Sequence, residues 1–356
     1  MSDNPKETEK EMEKAIFISA DCWLKVFDLL PPSQLGLGIA MISHRFDYFV
    51  DEHFKTRKWT LGEFQIQHKT GENGAKEMEI VNCDGKELPI PQNPLPNKVI
   101  GFRSIEIDFF DHNVLTFLGH LHRFFATCAT KFHILTENVR VSKFAVHKIW
   151  SMFKDTICLL FLNTIAFRQM RQLVPSLLND CPFLLGVYFC DGILPEFPPD
   201  DSANASDGQV VAKWVYTPRP DNLMTLLSIT IEDSAMEQQW LATVEQIEAF
   251  SIASPISFCI SVYFPPSSSL SSVVPFELTN KYTGEQLLLF KEDGNEDLSG
   301  FSLMRCPNVP YDKRQQQMIK EFDKQWNRID IFIGDDGVDD GLLDGSPGPS
   351  GGHQQQ

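Results

Sequence analysis

Apolar residues near the start of the chain fall at Trp23, Val26, Phe27 and Leu30, an i, i+3, i+4, i+7 spacing that predicts one face of a helix over 20–30. Asp21 favours the positive end of that helix, and Pro31-Pro32 stops it, since neither proline can donate a backbone hydrogen bond. Ser33 is positioned to cap a second helix carrying Leu35, Ile39 and Ile42. Ser43 is positioned to cap a third, with Phe46, Phe49, Val50 and Phe54 inward. The pattern changes from Thr60 to Lys98. Phe64-Gln65-Ile66-Gln67 alternates like a strand, Gly71, Gly74 and Gly85 mark turns, and Pro89, Pro91, Pro94 and Pro96 deny a helix. A β-hairpin followed by an extended linker is expected over 59–100.

Beyond Phe102, short apolar runs alternate with helical periods. The expected strands are Ser104–Phe109, Lys131–Leu135, Thr156–Leu162, Phe183–Cys190, Met224–Ile231 and Ile256–Phe264. The helices between them are expected at Asn113–Ala126, Ser142–Phe153, Thr164–Leu178, Ser206–Val215 and Met236–Phe250. Strand centres at Ile105, Ile134, Cys158, Leu185, Leu227 and Cys259 are separated by 29, 24, 27, 42 and 32 residues. The long step holds a polar insertion around Pro195–Ser202. Strand-plus-helix units at this period predict an irregular, leucine-rich-repeat-like α/β solenoid over 101–264. The usual L-x-x-L-x-L signature is absent, and a doubly wound sheet gives the same alternation. The runs Phe276–Thr279, Gln286–Lys291 and Phe301–Cys306, a polar helical stretch Asp312–Gln325 and the strand Asn327–Ile333 read as a β-rich C-terminal cap over 265–334.

Composition narrows what such a chain can do. Its 31 Lys+Arg and 48 Asp+Glu give a net charge of −17, which opposes non-specific binding to nucleic acid or anionic membrane. Seven of those charges lie in residues 1–14 and 335–356, both expected to be disordered tails, leaving −10 for the middle. Glu292, Asp293, Glu296 and Asp297 form an acidic cluster that favours a basic protein partner. Phe outnumbers Tyr 28 to 6, pointing to dry packing. No apolar run approaches the length of a membrane helix, and the charged first residues argue against secretion. The eight cysteines form no CxxC pair and read as buried thiols of a reducing compartment, the cytoplasm or the nucleus.

Catalytic patterns are missing. The chain has no G-x-S-x-G, no phosphate-binding glycine loop and no constellation of acid, base and nucleophile. His112, His120 and His122 read as a mixed helix face rather than a metal site, and Asp335–Gly341 lacks calcium-loop spacing. Asn204-Ala205-Ser206 is a glycosylation sequon that a non-secreted chain would leave unused. A non-enzyme without cofactor or metal is expected. Phe109, Phe110, Tyr188, Phe189, Cys190 and Tyr263 lie at strands or strand ends, and of these Phe110, Tyr188, Cys190 and Tyr263 are the candidates for contacting a partner.

The segment Ile18-Ser19-Ala20-Asp21-Cys22-Trp23-Leu24-Lys25-Val26-Phe27-Asp28-Leu29-Leu30-Pro31-Pro32-Ser33-Gln34-Leu35 resembles the F-box. Val26-Phe27 matches its apolar pair, Leu30 its closing Leu, Leu35 the Leu after the break, and Ile42-Ser43-His44-Arg45-Phe46 its later Val-Ser-x-x-Trp/Phe segment. Ile18-Ser19 stands where that family has Leu-Pro, which removes a rigid contact. Phe276–Glu285, Met304–Pro307 and Gln325–Ile329 are similar to the C-terminal region of an expanded group of F-box proteins in plant-parasitic nematodes. The resemblance implies an F-box over 15–58 and a substrate adaptor of an SCF-type ubiquitin ligase. It further implies docking on a Skp-family adaptor, and through it a cullin, by Ile18, Trp23, Val26, Phe27, Leu30, Pro31, Pro32 and Leu35. The repeat region would then hold an unidentified protein substrate. The alternative is a ligase-independent interaction scaffold, with the bundle serving only to cap the repeats.

Overall fold

The computed structural model describes residues 18–55, 59–70, 76–82, 85, 87–91, 93–95, 99–125, 130–136, 143–248, 256–281, 283–292, 298–306 and 327–333. The expected tails 1–14 and 335–356 and the expected helix Asp312–Gln325 lie outside them, as do Asp293, Glu296 and Asp297.

Helix α1 (Ala20–Phe27) ends before the two prolines. The next helical run starts on Pro32, one residue before the expected Ser33 cap, because proline suits a first helical position that needs no N–H. It comprises α2 (Pro32–Gln34), a π-helical stretch (Leu35–Ile39) and α3 (Ala40–Ile42). Helix α4 (His44–Phe54) follows, capped as expected by Ser43, whose hydroxyl accepts from Phe46 N–H. Phe27, Leu35, Leu37, Ala40, Val50 and Phe54 fill the small core. A Cβ on Gly36 would lie 2.9 Å from Leu61 Cδ2, so the glycine is what lets this helical run seat directly on the sheet domain.

The remaining chain is mixed α/β. A two-stranded parallel pair joins β1 (Trp59–Thr60) to β5 (Val99–Gly101). The other strands are β2 (Glu63–Thr70), β3 (Lys76–Asn82), β4 (Glu87–Pro89), β6 (Ser104–Ile107), β7 (Thr130–Thr136), β8 (Ile157–Leu162), β9 (Gly186–Phe189), β10 (Thr225–Thr230), β11 (Phe258–Phe264), β12 (Phe276–Thr279), β13 (Gln286–Glu292), β14 (Ser299–Cys306) and β15 (Asn327–Ile333). They form one 13-stranded sheet in the order β12-β13-β14-β11-β10-β9-β8-β7-β15-β6-β2-β3-β4. The strands from β2 to β11 in that order are mutually parallel, and antiparallel strands flank them at both ends.

From β7 to β11 the spatial order follows the sequence, each step crossing through a helix: α6 (Lys143–Phe153), α7 (Thr164–Leu173), α8 (Asp207–Val215) and α9 (Ser234–Glu248). Helix α5 (His112–Phe125) makes the same crossing between β6 and β7. Buried helix residues such as Phe117, Phe125, Phe153, Phe167 and Trp240 share one core with a row across the sheet: Ile66, Ile107, Ile331, Ile134, Leu162, Phe189, Ile229, Val262 and Phe301. Among the described residues, no helix is long and apolar enough to cross a membrane.

Two expectations change. The 59–100 segment is not an extended linker: β2, β3 and β4 continue the main sheet, and Ile90 and Leu95 are buried against it. Strand β15 does not belong with a closing cap. It lies in the interior of the sheet, paired on one side with β6 and on the other with β7. Ile329 and Ile331 fill the helix-facing row there, and Asn327 fastens the entry, accepting from Phe102 N–H at 3.2 Å and donating to Phe124 C=O.

Removing 327–333 therefore opens two ladders at once, and we expect the truncated chain to lose cooperative thermal unfolding by calorimetry. Asn327→Ala leaves buried backbone partners unpaired and should cost about 1–3 kcal/mol. Breaking the solvent-exposed Arg103–Glu63 pair with Arg103→Ala should cost less than about 1 kcal/mol.

Candidate functional site

Two surfaces bring together the residues singled out in the sequence. On the N-terminal helices, Trp23 packs edge-on against Phe46 with ring centroids 4.9 Å apart, and Phe27 is 1% exposed against the ring of His53. The neighbouring positions turn outward. Val26 is 42% exposed and Leu29 83%, with Ile18, Ile42 and Tyr48 also exposed. Arg45 ties the N-terminal end of the patch, donating to Ile18 C=O at 3.2 Å. The expected docking set thus divides. Ile18 and Val26 are on the surface, Trp23, Leu30, Pro31 and Pro32 are half-buried, and Phe27 and Leu35 belong to the bundle core. Leu29, Ile42 and Tyr48 were missed because a 3.6-residue period identifies the face that packs inward and leaves unnamed the apolar residues beside it.

The second surface is the sheet face opposite α5–α9. Strand register aligns a row across it: Gln65, Glu106, Asp330, His133, Phe161, Tyr188, Ser228, Ser261, Ser302 and Phe290. In its middle three rings stack as a ladder, His133 on Phe161 at 3.8 Å and Phe161 on Tyr188 at 4.3 Å between centroids. Parallel pairing places residues on adjacent strands one ladder spacing apart, close to the thickness of stacked rings. Below the row, Leu159, Leu226, Cys259 and Met304 form a separate apolar cluster that contains no helix residue.

Polar groups close both ends. Tyr263 donates to Glu292 Oε2 at 2.6 Å, and Ser261 and Ser302 also donate to this carboxylate, their own oxygens 2.7 Å apart. Burial and the adjacent Glu292 raise the Tyr263 phenol above its ordinary value, burial alone does most of this for Tyr188, and burial pushes the Cys259 thiol up to about 12. None of these groups is prepared as a nucleophile. At the other end, Arg328 donates to Asp330 at 2.8 Å, and Asp330 lies 3.2 Å from His133 Nδ1. Burial raises Asp330 and Glu106, and Glu106 is raised further by the nearby Asp108. Burial, with the Arg328 and Lys131 cations behind it, holds His133 at about 3. Asp330 does not reverse this, because its charge is shared with Arg328.

Of the four expected partner contacts, Tyr188 and Tyr263 lie on this face, and Cys190 is exposed one residue past the end of β9. Phe110 is a correction. The strand ends at Ile107, and Phe110 then turns to the helix side, where it is 0% exposed in the main core. His133, Phe161, Ser261 and Ser302 were missed, since only the pairing register brings them beside Tyr188 and Tyr263. Among the described residues no group of three His, Cys, Asp or Glu side chains could hold a metal ion.

No protein-family model, curated protein or solved structure matches this chain.

The depressed value of His133 has a defined consequence for stability. The unfolded imidazole titrates near 6.5, so as the pH falls from 6.5 toward 3 the unfolded state takes up the proton first and stability is lost, with no contribution above 6.5. By NMR, the His133 imidazole should remain neutral throughout the range from pH 7 to pH 5. A titration midpoint near 6.5 in the folded protein would contradict its burial.

Proposed function

We propose that this chain is a substrate-recognition adaptor of an SCF-type ubiquitin ligase, its N-terminal helices acting as an F-box and its strand-helix region as a leucine-rich-repeat-like solenoid that holds a protein substrate. The observation that carries the reading is the apolar patch of Ile18, Val26, Leu29, Ile42 and Tyr48 on a three-helix module whose core is already filled. Leu29 at 83% exposure has no partner in its own bundle to justify a leucine there, and covering such a side chain is worth about 2 kcal/mol. A helix of a Skp-family adaptor is a cover of suitable size and chemistry. In this reading a cullin is reached only through that adaptor.

The solenoid reading is supported by the unreversed order from β7 to β11, with all crossing helices contributing to one core on one face. A doubly wound sheet would reverse its order and distribute helices over both faces. The second face, with its ring ladder between Glu292 and the Asp330–Glu106 end, is then the substrate-facing side. The protein works by effective concentration, holding a target beside the ubiquitin-loading machinery, and needs no catalytic group of its own.

One observation favours the second reading, a ligase-independent scaffold. Gly36 seats the helical bundle on Leu61 and Val99, as a structural end-piece would require. The two readings separate on variants of surface residues. Val26→Asp with Leu29→Asp should leave the circular-dichroism melt unchanged within about 1 kcal/mol and reduce capture of a purified Skp-family adaptor by tenfold or more. Phe27→Asp would instead unfold the bundle, since it places a charge at a position 1% exposed. If the folded double variant retains adaptor binding, or the unaltered protein has none, the ligase reading fails.

A further inference from the structure

The carboxyl ends of parallel strands are where open α/β sheets place ligands, because the chain turns there leave a crevice between strand ends and helix starts. In this protein the turns after β8 and β9, together with the polar insertion before α8, enclose a cleft of about 570 Å³, within the range of small-ligand sites. Arg168 and Arg171 reach it from successive turns of one face of α7. Asn163 fixes that helix by accepting from Ala166 N–H at 2.9 Å.

The two arginines are held but not exhausted. Asp207 bridges them, accepting from Arg168 Nε and from Arg171 Nη1, both at 2.6 Å. Arg171 Nη2 donates to Ala205 C=O at 3.1 Å, while its Nε is buried without a partner. The Arg171 side chain is 13% exposed and that of Arg168 is 63% exposed. Apart from its Nε bond, the Arg168 guanidinium therefore presents its terminal nitrogens to solvent at the mouth of the cleft. Ile193, Leu194 and Ala205 supply apolar wall beside it.

We propose that this cleft binds a single carboxylate carried on a small apolar group, with Arg168 and Arg171 as the recognising pair. A planar guanidinium with two free terminal nitrogens matches a carboxylate bidentately. The apolar walls take up the attached side chain. Acidic neighbours set the limit on charge: Asp207 already faces the pair, and Glu196, held by the Ser206 hydroxyl, lines the same cleft, so a polyanion would meet two carboxylates. The ligand carries one negative charge and turns hydrogen-bond donors toward Glu196. Two sources share that chemistry, the carboxyl terminus of a peptide and a free small carboxylic acid. The site needs only the strand-helix region and stands whether or not the chain docks on a Skp-family adaptor.

The test is titration of the full chain, followed by NMR chemical-shift change, with four probes: N-acetyl-alanyl-leucine, its carboxamide, isovalerate and inorganic phosphate. The acid peptide should bind at least tenfold more tightly than the carboxamide, and Arg168→Gln should abolish that preference without changing the melting profile. Arg168→Lys keeps the charge but loses the fork, and should retain only part of the preference. Isovalerate binding as tightly as the acid peptide supports the site and assigns it to small acids. Binding of the peptide alone supports it and assigns it to chain termini. Equal binding of acid and carboxamide, a preference that survives in Arg168→Gln, phosphate binding tightest, or no saturable binding of any probe would each overturn it.

Discussion

The sheet depends on a strand that arrives last. Between β6 and β7 is a gap that no local hairpin or crossover fills, and β15, nearly two hundred residues further along the chain, closes it with parallel ladders on both sides. Buried backbone N–H and C=O groups must find partners, so β6 and β7 cannot remain in the interior of a sheet without this insertion. Asn327 shows how closely the fit is made. A Cβ on Gly101 would fall 2.6 Å from its Oδ1, so glycine there and asparagine opposite are one device. The N-terminal β2–β4 segment and the β7–β11 series become a single sheet only through this strand.

Once the sheet is continuous, its two faces diverge. One is committed to α5–α9 through an uninterrupted apolar row, and any polar residue there would be buried without a partner. The other carries what the first cannot: stacked rings, hydroxyls gathered on one glutamate, and ion pairs at the Asp330 end. The same division puts the helix starts, and with them the Arg168–Asp207–Arg171 bridge, at the carboxyl ends of the strands. A binding surface and a cleft thus follow from one topological commitment. The N-terminal bundle is fixed to this frame through Gly36 and keeps its exposed apolar residues on surfaces the frame does not cover.

Much of this was legible in the sequence, for reasons that differ by element. Helices α4, α8 and α9 lie within a few residues of their expected bounds because an apolar period and a capping residue are both local signals. Ser206 even completes the reciprocal cap with Gln209. Strand β12 matches its expected bounds, and β13 and β14 are longer by one and two residues. Phe183, expected at the start of β9, is instead 59% exposed outside it, because an apolar run does not reveal where ladder pairing begins. Phe110 was assigned to the partner face on a similar ground and lies in the core. In β8, Ile-Cys-Leu-Leu-Phe-Leu is apolar on both faces, so its sequence alone could not say which face Phe161 takes.

By itself the sequence determined the alternation of strand and helix, the three-helix opening with its F-box-like spacing, and the absence of any familiar catalytic pattern. These are properties of neighbouring residues, set by backbone geometry over one or two turns. Only the tertiary structure decided that Asn327–Ile333 is an interior strand, that His133, Phe161 and Tyr188 form one stack, that Phe27 is core while Leu29 is surface, and that two arginines of α7 meet Asp207 across an insertion. Each of these depends on the register between segments far apart in the chain. Register is fixed by the simultaneous burial of both faces and the pairing of every interior backbone group, a condition that no local window contains.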